Sequence, residues 1–373
     1  MKRIIVSVLI ICCLALTGCG SIYDKEYISI KEYDIPQVQQ DIPSDTVTVA
    51  NFSNLKKQLS SMVNKGLSGG TIIFDTTYPG DITKDISLAC WSVRTQNALC
   101  VYCVENISYE VTKILTNQEA KINISYTISP EKFSEILKMG FLTGFDKLML
   151  DAYGKNTEEI VILVNNCNYS ADDLQETALN VYRNHPSSCV REPDIVIQDF
   201  SGSGLQKLYD ISIKYGMPQE EIERIKSELS SVDYSELAGM TGKPDESKAA
   251  AIAEFLINRR SPEYENTDNT LYAALVAGNA DSEGCALAFN ELAGKYGLKS
   301  QMVYGQKNRE DHVWNIINIG ENYYHIDVSA CTGTGPLNLF KSDADIWGEY
   351  RWNTLSYPAC DQSLTVQTDA AEK

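Results

Sequence analysis

Side chains able to do nucleophilic and acid–base chemistry are concentrated between residues 282 and 327. Ser282 begins a predicted helix, and a helix N-terminus is the positive end of the helix dipole, which favours an anionic nucleophile or oxyanion. His312 lies on the first strand of a predicted hairpin and Asp327 on the second. Because neighbouring strands are about 4.8 Å apart, a carboxylate on one can orient an imidazole on the other. The three residues therefore supply a nucleophile, a base and an orienting group in chain order.

The elements that must position these side chains are one helix and a small antiparallel sheet. The predicted helix runs from Ser282 to about Tyr296 and has apolar residues on one face. Three strands are predicted after it, and Gly320-Glu321-Asn322 is a hairpin turn between the last two. The strands are Gln301–Tyr304, Asp311–Ile319 and Tyr323–Val328.

This pattern resembles the transglutaminase-like superfamily, which has a papain-type fold. In that family a cysteine begins a helix, a His-x-Trp-Asn run follows, and a later strand ends in Asp. The run His312-Val313-Trp314-Asn315 fits closely, and Tyr323 to Asp327 fits the last strand. The resemblance covers residues 245 to 335 and implies acyl transfer or hydrolysis of an amide, with His312 as the base and Asp327 orienting it. We also predict a substrate cleft lined by Trp314, Asn315 and Tyr272, with the protein core as the alternative position for Trp314.

The sequence departs from the family at the nucleophile. When Gly284 and Ala286 are aligned with the family's Cys-x-Gly-Tyr-Ala pattern, Ser282 stands where the cysteine belongs and Cys285 where an aromatic residue belongs. In one interpretation the domain is inactive and binds its ligand. In a second, Ser282 is the nucleophile, and the imidazole removes its proton during attack because a hydroxyl has a far higher pKa than a thiol. In a third, Cys285 reaches the site from one turn further along the helix, where residues share a face.

Each of these residues also has a structural interpretation. Serine is a common helix N-cap, so Ser282 has that alternative role. Cys285 lies on an apolar stripe, where cysteine behaves as a small hydrophobic residue. His325 lies two residues before Asp327 and matches no position of the family, so we predict a structural role for it.

The N-terminus is typical of an exported lipoprotein. Lys2 and Arg3 precede the apolar run Ile4–Leu16, which is too short to span a bilayer of about 30 Å. Leu16-Thr17-Gly18-Cys19 resembles a bacterial lipobox, so we predict a signal peptide at 1–18 and lipid attachment at Cys19, which would hold the protein on the outer face of a membrane. Residues 19–48 show no apolar periodicity and are interpreted as a tether.

Composition excludes some classes of partner and cofactor. The net charge is −18, with 50 acidic and 32 basic residues, so we predict no nucleic-acid binding and no docking on anionic lipid. Cys100 and Cys103 form a single Cys-x-x-Cys pair without a second pair to complete a zinc site, and we predict neither a metal nor a cofactor. In an exported protein, disulfides are permitted, and the plausible local pairs are Cys331–Cys360 and Cys167–Cys189.

We assign the chain to the α+β class. Residues 49–200 form an α/β region in which the order helix, strand, helix, strand recurs after 85 to 90 residues, so one interpretation is a degenerate duplication. Gly202 and Gly204 mark a boundary, and residues 201–373 form the transglutaminase-like domain with lead-in helices, the first predicted over Leu205–Tyr215. We expect a surface-anchored protein that binds peptide or cell-wall material, with amide chemistry at Ser282 or Cys285 as the alternative.

Overall fold

The computed structural model describes residues 46–114, 116–202, 204–260, 267–331 and 339–365. The predicted signal peptide, Cys19 and most of the predicted tether lie outside the described residues. Residues 46–48, which we had placed in the tether, belong to the first strand of a sheet. Within the described part of the chain, no helix is long and apolar enough to cross a membrane.

The first repeat (residues 46–126) is a four-stranded sheet with helices between its strands. Its helices begin at side-chain caps, as in α1, where Asn51 accepts a hydrogen bond from the N–H of Asn54. The elements in order are β1 (Thr46–Val49), α1 (Phe52–Asn64), β2 (Gly69–Phe74), α2 (Ile82–Gln96), α3 (Ala98–Cys103), β3 (Val104–Ile114) and β4 (Asn117–Tyr126).

The second repeat (residues 137–214) follows a short helix, α4 (Pro130–Glu135). The predicted cap Ser170 is present and forms a capping box with Asp173. The elements of the repeat are β5 (Leu137–Phe141), α5 (Phe145–Lys155), β6 (Glu159–Asn166), α6 (Ala171–Asn184), β7 (Asp194–Ser201) and β8 (Lys207–Lys214).

The two repeats have the same topology. The sheet orders are β1-β2-β4-β3 and β5-β6-β8-β7, and in each sheet the first pair of strands is parallel and the other pairs are antiparallel. Residues at equivalent positions lie 88 to 90 apart in the chain, as shown by Ile72 and Ile162, Ala120 and Tyr209, and Ile107 and Ile195. This agreement in topology and spacing supports the interpretation of the region as a duplication.

Strand β8 corrects one prediction and moves a boundary. We predicted a helix over Leu205–Tyr215, but residues Lys207–Lys214 form a strand paired with both β6 and β7. Leu208, Ile211 and Tyr215 are compatible with helical spacing, whereas the buried Tyr209, Ile211 and Ile213 alternate as in a strand. The second repeat therefore extends past residue 201, where we had begun the C-terminal domain.

The C-terminal part consists of helices packed on a second kind of sheet, whose order is β11-β10-β9-β12 with all pairs antiparallel. The chain as a whole is therefore α+β, as predicted. The elements are α7 (Gln219–Ser230), a 3₁₀ turn (Ser235–Leu237), α8 (Asp245–Arg259), a π-helical turn (Ala273–Ala277), α9 (Ser282–Lys295), β9 (Lys299–Lys307), β10 (Glu310–Ile319), β11 (Asn322–Ile326), α10 (Asp343–Ile346) and β12 (Tyr350–Trp352).

The buried apolar residues form three clusters. The largest runs without a break from the second repeat into the C-terminal part. Helix α9 therefore packs on a core that it shares with α6 and with the sheet of the second repeat. The first repeat has its own core. Leu163 and Leu208, on the outer face of the second repeat's sheet, also pack into this core. A small cluster lies beneath the hairpin and includes Trp314, Tyr350 and Cys360.

The cysteines within the described residues are unpaired. All eight cysteines after Cys19 have free thiols, and seven of them are buried. The two disulfides predicted as plausible, Cys331–Cys360 and Cys167–Cys189, are therefore not formed in this structure. Cys189 and Cys167 instead make hydrogen bonds to a carbonyl and to the Tyr209 hydroxyl.

Candidate functional site

The hairpin of β10 and β11 brings His312 and Asp327 together. Asp327 directly follows the last residue of β11, and His312 lies near the start of β10, on the same end of the pair. The two side chains are mostly buried, with exposed fractions of 16% and 11%. Nε2 of His312 lies 2.7 Å from Oδ2 of Asp327. The sequence-based pairing of these two residues across a hairpin thus matches the geometry.

The carboxylate of Asp327 accepts hydrogen bonds on both oxygens. Tyr350 donates its hydroxyl to Oδ2 at 2.8 Å, while the Ser329 hydroxyl and the Ala330 amide donate to Oδ1 at 2.6 Å and 3.1 Å. Burial by itself raises the pKa of Asp327, but the hydrogen bond and charge of His312, with Ser329 and Tyr350, outweigh it and lower the pKa to about 2. Asp327 is therefore ionised at neutral pH and acts only as an acceptor.

This environment determines the tautomer of His312. Since Asp327 can only accept, the proton of the neutral ring is on Nε2 and is donated to the carboxylate. Nδ1 then carries the lone pair, and it has no hydrogen-bond partner among the residues that the structure describes. In this tautomer Nδ1 of His312 is a hydrogen-bond acceptor that no described residue occupies.

Ser282 lies against the strand that carries His312. Its Oγ accepts a hydrogen bond of 3.2 Å from the amide of Val313, the residue after His312. Ser282 is the first residue of α9 and not its N-cap; Asp281 caps the helix by accepting from the amide of Gly284 at 2.9 Å. The N–H groups of Ser282 and Glu283 have no acceptor within the described residues, and both belong to the positive end of the helix.

Cys285 is enclosed in the core. Its side chain is 3% exposed and lies among the apolar residues that α9 buries. Burial raises the pKa of its thiol to about 11, so the thiol is protonated at neutral pH. Neither property favours the interpretation in which Cys285 supplies the nucleophile.

Trp314 and Asn315 lie behind the site, in the interior. Each is 1% exposed. Asn315 donates to the carbonyl of Ala286 at 3.1 Å and so ties β10 to α9, while Trp314 donates its indole N–H to Nδ1 of His325 at 2.9 Å. Neither residue presents surface to a substrate, so Asn315 differs from the predicted cleft-lining role and Trp314 takes the alternative position in the core.

Tyr272, the third predicted cleft residue, faces another helix. Its hydroxyl donates to Glu228 of α7 at 2.7 Å, and the Arg224 guanidinium lies 5.7 Å from its ring centre. None of its described contacts is with Ser282, His312 or Asp327.

One group of side chains has the composition of a metal site. The ligand atoms of His325, Asp343 and Cys360 lie within 4.8 Å of one another. Because the indole of Trp314 can only donate, Nδ1 of His325 is an acceptor and the ring proton is on Nε2, directed at Asp343. A metal at Nε2 would have to displace that proton and leave the ring as an imidazolate, so these residues fit a hydrogen-bonded chain better than a metal centre.

The sequence interpretation gave no role to three residues whose side chains contact the carboxylate of Asp327. The hydroxyl of Ser329 could have been predicted to contact Asp327, because Ser329 follows it by two residues. Tyr350 and Lys307, whose Nζ lies 3.8 Å from Oδ2 of Asp327, come from strands that no sequence pattern connects to the aspartate.

No protein-family model and no curated protein matches the chain. Among solved structures, the chain is similar to a TGase at 11% identity and a TM-score of 0.21, over 62% of this chain and 68% of that one. It is also similar to a candidate cysteine protease from Cytophaga hutchinsonii at 12% identity and a TM-score of 0.24, over 48% of this chain and 77% of that one. The interpretation of the site therefore depends on the geometry of Ser282, His312 and Asp327.

Proposed function

We propose that this chain is a surface-anchored, transglutaminase-like protein that binds a peptide or another amide of the cell wall at Ser282, His312 and Asp327, without a thiol nucleophile. The observation that carries the proposal is the hydrogen-bonded pair of His312 and Asp327, in which no described residue occupies Nδ1 of His312. The strand that carries His312 also contacts the hydroxyl of Ser282. The site keeps the polar groups that meet an amide, and it lacks the thiol.

An amide ligand offers a carbonyl acceptor and an N–H donor. The free N–H groups of Ser282 and Glu283 are donors for the carbonyl, and the lone pair on Nδ1 of His312 is an acceptor for the N–H. The hydrogen bonds on Asp327 keep the ring oriented, so little ordering is needed when the ligand binds.

Thiol catalysis is disfavoured because no thiolate is available beside His312. Position 282 carries a hydroxyl, and the nearby Cys285 is buried and protonated. Burial also raises the pKa of Cys331, whose Sγ donates to the backbone carbonyl of Asp327 at 3.2 Å. Acyl transfer through a preformed thiolate–imidazolium pair is therefore not the proposed function.

A second candidate function, acyl transfer by serine, is favoured by the tautomer of His312. In that reaction Oγ of Ser282 attacks the carbonyl carbon and its proton passes to Nδ1. The imidazolium then gives the proton to the leaving nitrogen as the C–N bond breaks, and water releases the acyl group. Ser282 and His312 share no direct hydrogen bond in the described structure, and for this reason we place binding first.

Binding and turnover of labelled cell-wall peptides separate the two candidates. We expect the wild-type protein to bind without releasing product, Ser282→Ala to bind within about threefold of it, and His312→Ala to bind at least about tenfold more weakly, since about 1.4 kcal/mol corresponds to tenfold. Ser282→Cys should gain measurable turnover. Turnover by the wild-type protein that Ser282→Ala abolishes would establish the serine reaction instead, and failure of the wild-type protein to bind any peptide would refute both.

Surface anchoring is a separate part of the proposal and depends on Cys19 alone. The full chain should incorporate labelled palmitate and sediment with membranes, whereas Cys19→Ser should do neither, since each buried methylene contributes about 0.8 kcal/mol to membrane binding. Release of both forms into the medium would contradict the anchor and leave the amide site unaffected.

A further inference from the structure

The C-terminal strap, defined as residues 339–365, completes the environment of Asp327. It contains Tyr350, which donates to Oδ2 of Asp327 at 2.8 Å, and its strand β12 pairs with β9 on the far side of the sheet from β11. The strap is also joined to β11 by reciprocal backbone bonds between His325 and Lys341, at 2.9 Å and 3.0 Å. Two separate attachments therefore hold the segment that supplies Tyr350.

A buried chain of hydrogen bonds connects the strap to β10. Trp314 donates its indole N–H to Nδ1 of His325, and Nε2 of His325 donates to Oδ1 of Asp343 at 2.8 Å. The direction of each bond is fixed, because an indole only donates and the proton of the neutral ring is then on Nε2. Burial lowers the pKa of His325, so the ring stays neutral, as this arrangement of protons requires.

Trp314 also contacts the site itself. Its ring centre lies 5.1 Å from that of Tyr350 at an edge-to-face angle of 74°, and 6.2 Å from that of His312. His312 and Tyr350 are 5.9 Å apart, so the three rings pack against one another. The position of the indole therefore affects the base and the tyrosine that holds the orienting aspartate.

We propose that His325 is a positioning residue for His312: it holds Trp314 and Asp343 together, and through them it holds the indole and Tyr350 against the His312–Asp327 pair. The proposal rests on the proposed function only in taking His312 as the group that meets the amide. It predicts that a change at His325, which lies behind the indole, alters the chemistry at position 282.

A cysteine introduced at position 282 gives a probe that needs no natural activity. In Ser282→Cys, a correctly held His312 should draw the proton from the thiol, so iodoacetamide should alkylate Cys at this position at pH 6 at least about tenfold faster than an ordinary thiol of pKa about 8.5. Mass spectrometry of the digested protein resolves this position from the 11 native cysteines.

Second substitutions in that background test His325. His325→Leu leaves the indole N–H and Asp343 without a partner, and we expect the alkylation rate at pH 6 to fall at least about fivefold. His325→Gln offers one acceptor and one donor, and we expect it to keep the rate within about twofold. Trp314→Phe and Tyr350→Phe, which each delete one donor and keep a ring, should lower the rate in the same direction.

A control separates positioning from general loosening of the fold. Leu59→Ala removes a buried side chain of α1 from the separate core of the first repeat, and should lower the melting temperature without changing the alkylation rate. An unchanged rate in His325→Leu, or an equal fall in Leu59→Ala, would overturn the proposal. A rate for Ser282→Cys no higher than that of an ordinary thiol would also overturn it. Peptide binding by the wild-type protein, measured separately, shows whether the proposed function has failed as well.

Discussion

At the scale of single residues, Asp327 is the point at which the contacts of the site converge. Four hydrogen bonds reach its carboxylate, from His312, Ser329, Ala330 and Tyr350. They make Asp327 an obligate acceptor, which in turn assigns the proton of His312 to Nε2. Ser282 takes part in none of these four hydrogen bonds, so the arrangement does not depend on the side chain at position 282.

Acid should remove the contribution that Asp327 makes to stability. Its folded-state pKa is lowered to about 2 from an ordinary value near 3.9, so its contribution is complete above about pH 4 and is lost as the pH falls towards 2. The lowered pKa corresponds to roughly 2.5 kcal/mol of stability at about 1.36 kcal/mol per pKa unit. Denaturant unfolding of the wild-type protein and of Asp327→Asn between pH 5 and pH 2 should show the two free energies converging as the pH falls. A difference that stays constant with pH would contradict this assignment.

The sequence was sufficient to predict the proximity of residues that one helix and one hairpin bring together. Ser282, His312 and Asp327 could be predicted because a helix start and two adjacent strands bring them to one end of the sheet. Tyr350 could not, because it reaches Asp327 from β12, and the pairing of β12 with β9 is a long-range contact that no local periodicity encodes.

At the scale of elements, β9 is the strand that the site is built around. It pairs with β10 on one side and with β12 on the other, so Gly305 lies opposite both His312 and Trp352. A Cβ at Gly305 would lie 2.4 Å from the carbonyl oxygen of Arg351 and 2.7 Å from the Trp314 ring. The close approach of β12, and with it of Tyr350, therefore requires glycine at this position.

Gly305→Ala should destabilise the protein, because the added methyl group meets a backbone oxygen that cannot move without displacing β12. Overpacking of this kind costs about 1–3 kcal/mol. A matched control is Gly294→Ala in α9, where a Cβ would meet nothing within 4 Å and where alanine should stabilise the helix by about 0.5–1 kcal/mol. In chemical denaturation, the free energy of unfolding should fall for Gly305→Ala and rise for Gly294→Ala. An unchanged free energy for Gly305→Ala would show that the strands adjust freely.

Individual elements were predictable where a cap or a periodic pattern was present. Ser170 and the apolar spacing of α6 located that helix, and alternation located β4. Strand β3 has only Ile107 fully buried, because it is an edge strand with most side chains exposed, and it carries no comparable signal. Strand β8 was misassigned because its short run of apolar residues fits both periods.

At the scale of the whole molecule, the two repeats differ in how their outer faces are used. Leu163 and Leu208, on the outer face of the second sheet, pack into the core of the first repeat, where α3 covers that face. The equivalent residues of the first sheet, Ile73 and Glu119, are half-exposed. The outer face of the first sheet is therefore the more polar of the two at these positions.

Leu208→Ala should be far more damaging than Glu119→Ala at the equivalent position. Truncating a fully buried leucine costs about 2–5 kcal/mol, whereas a half-exposed surface substitution changes stability by about 0.5 kcal/mol or less. Thermal or denaturant unfolding of the two variants makes the comparison. Equal effects would show that the repeats do not depend on this shared apolar face.

The most direct test of the site is histidine NMR during peptide titration. The chain has three histidines, and each lies in a different environment. His185 is exposed, His325 is buried between Trp314 and Asp343, and His312 is at the site. With ¹⁵N-labelled imidazoles, the free protein should show His312 as the Nε2–H tautomer, and a cell-wall peptide should shift its Nδ1 resonance while those of His185 and His325 stay in place. Saturable peptide binding that leaves the His312 resonances unchanged would contradict the account.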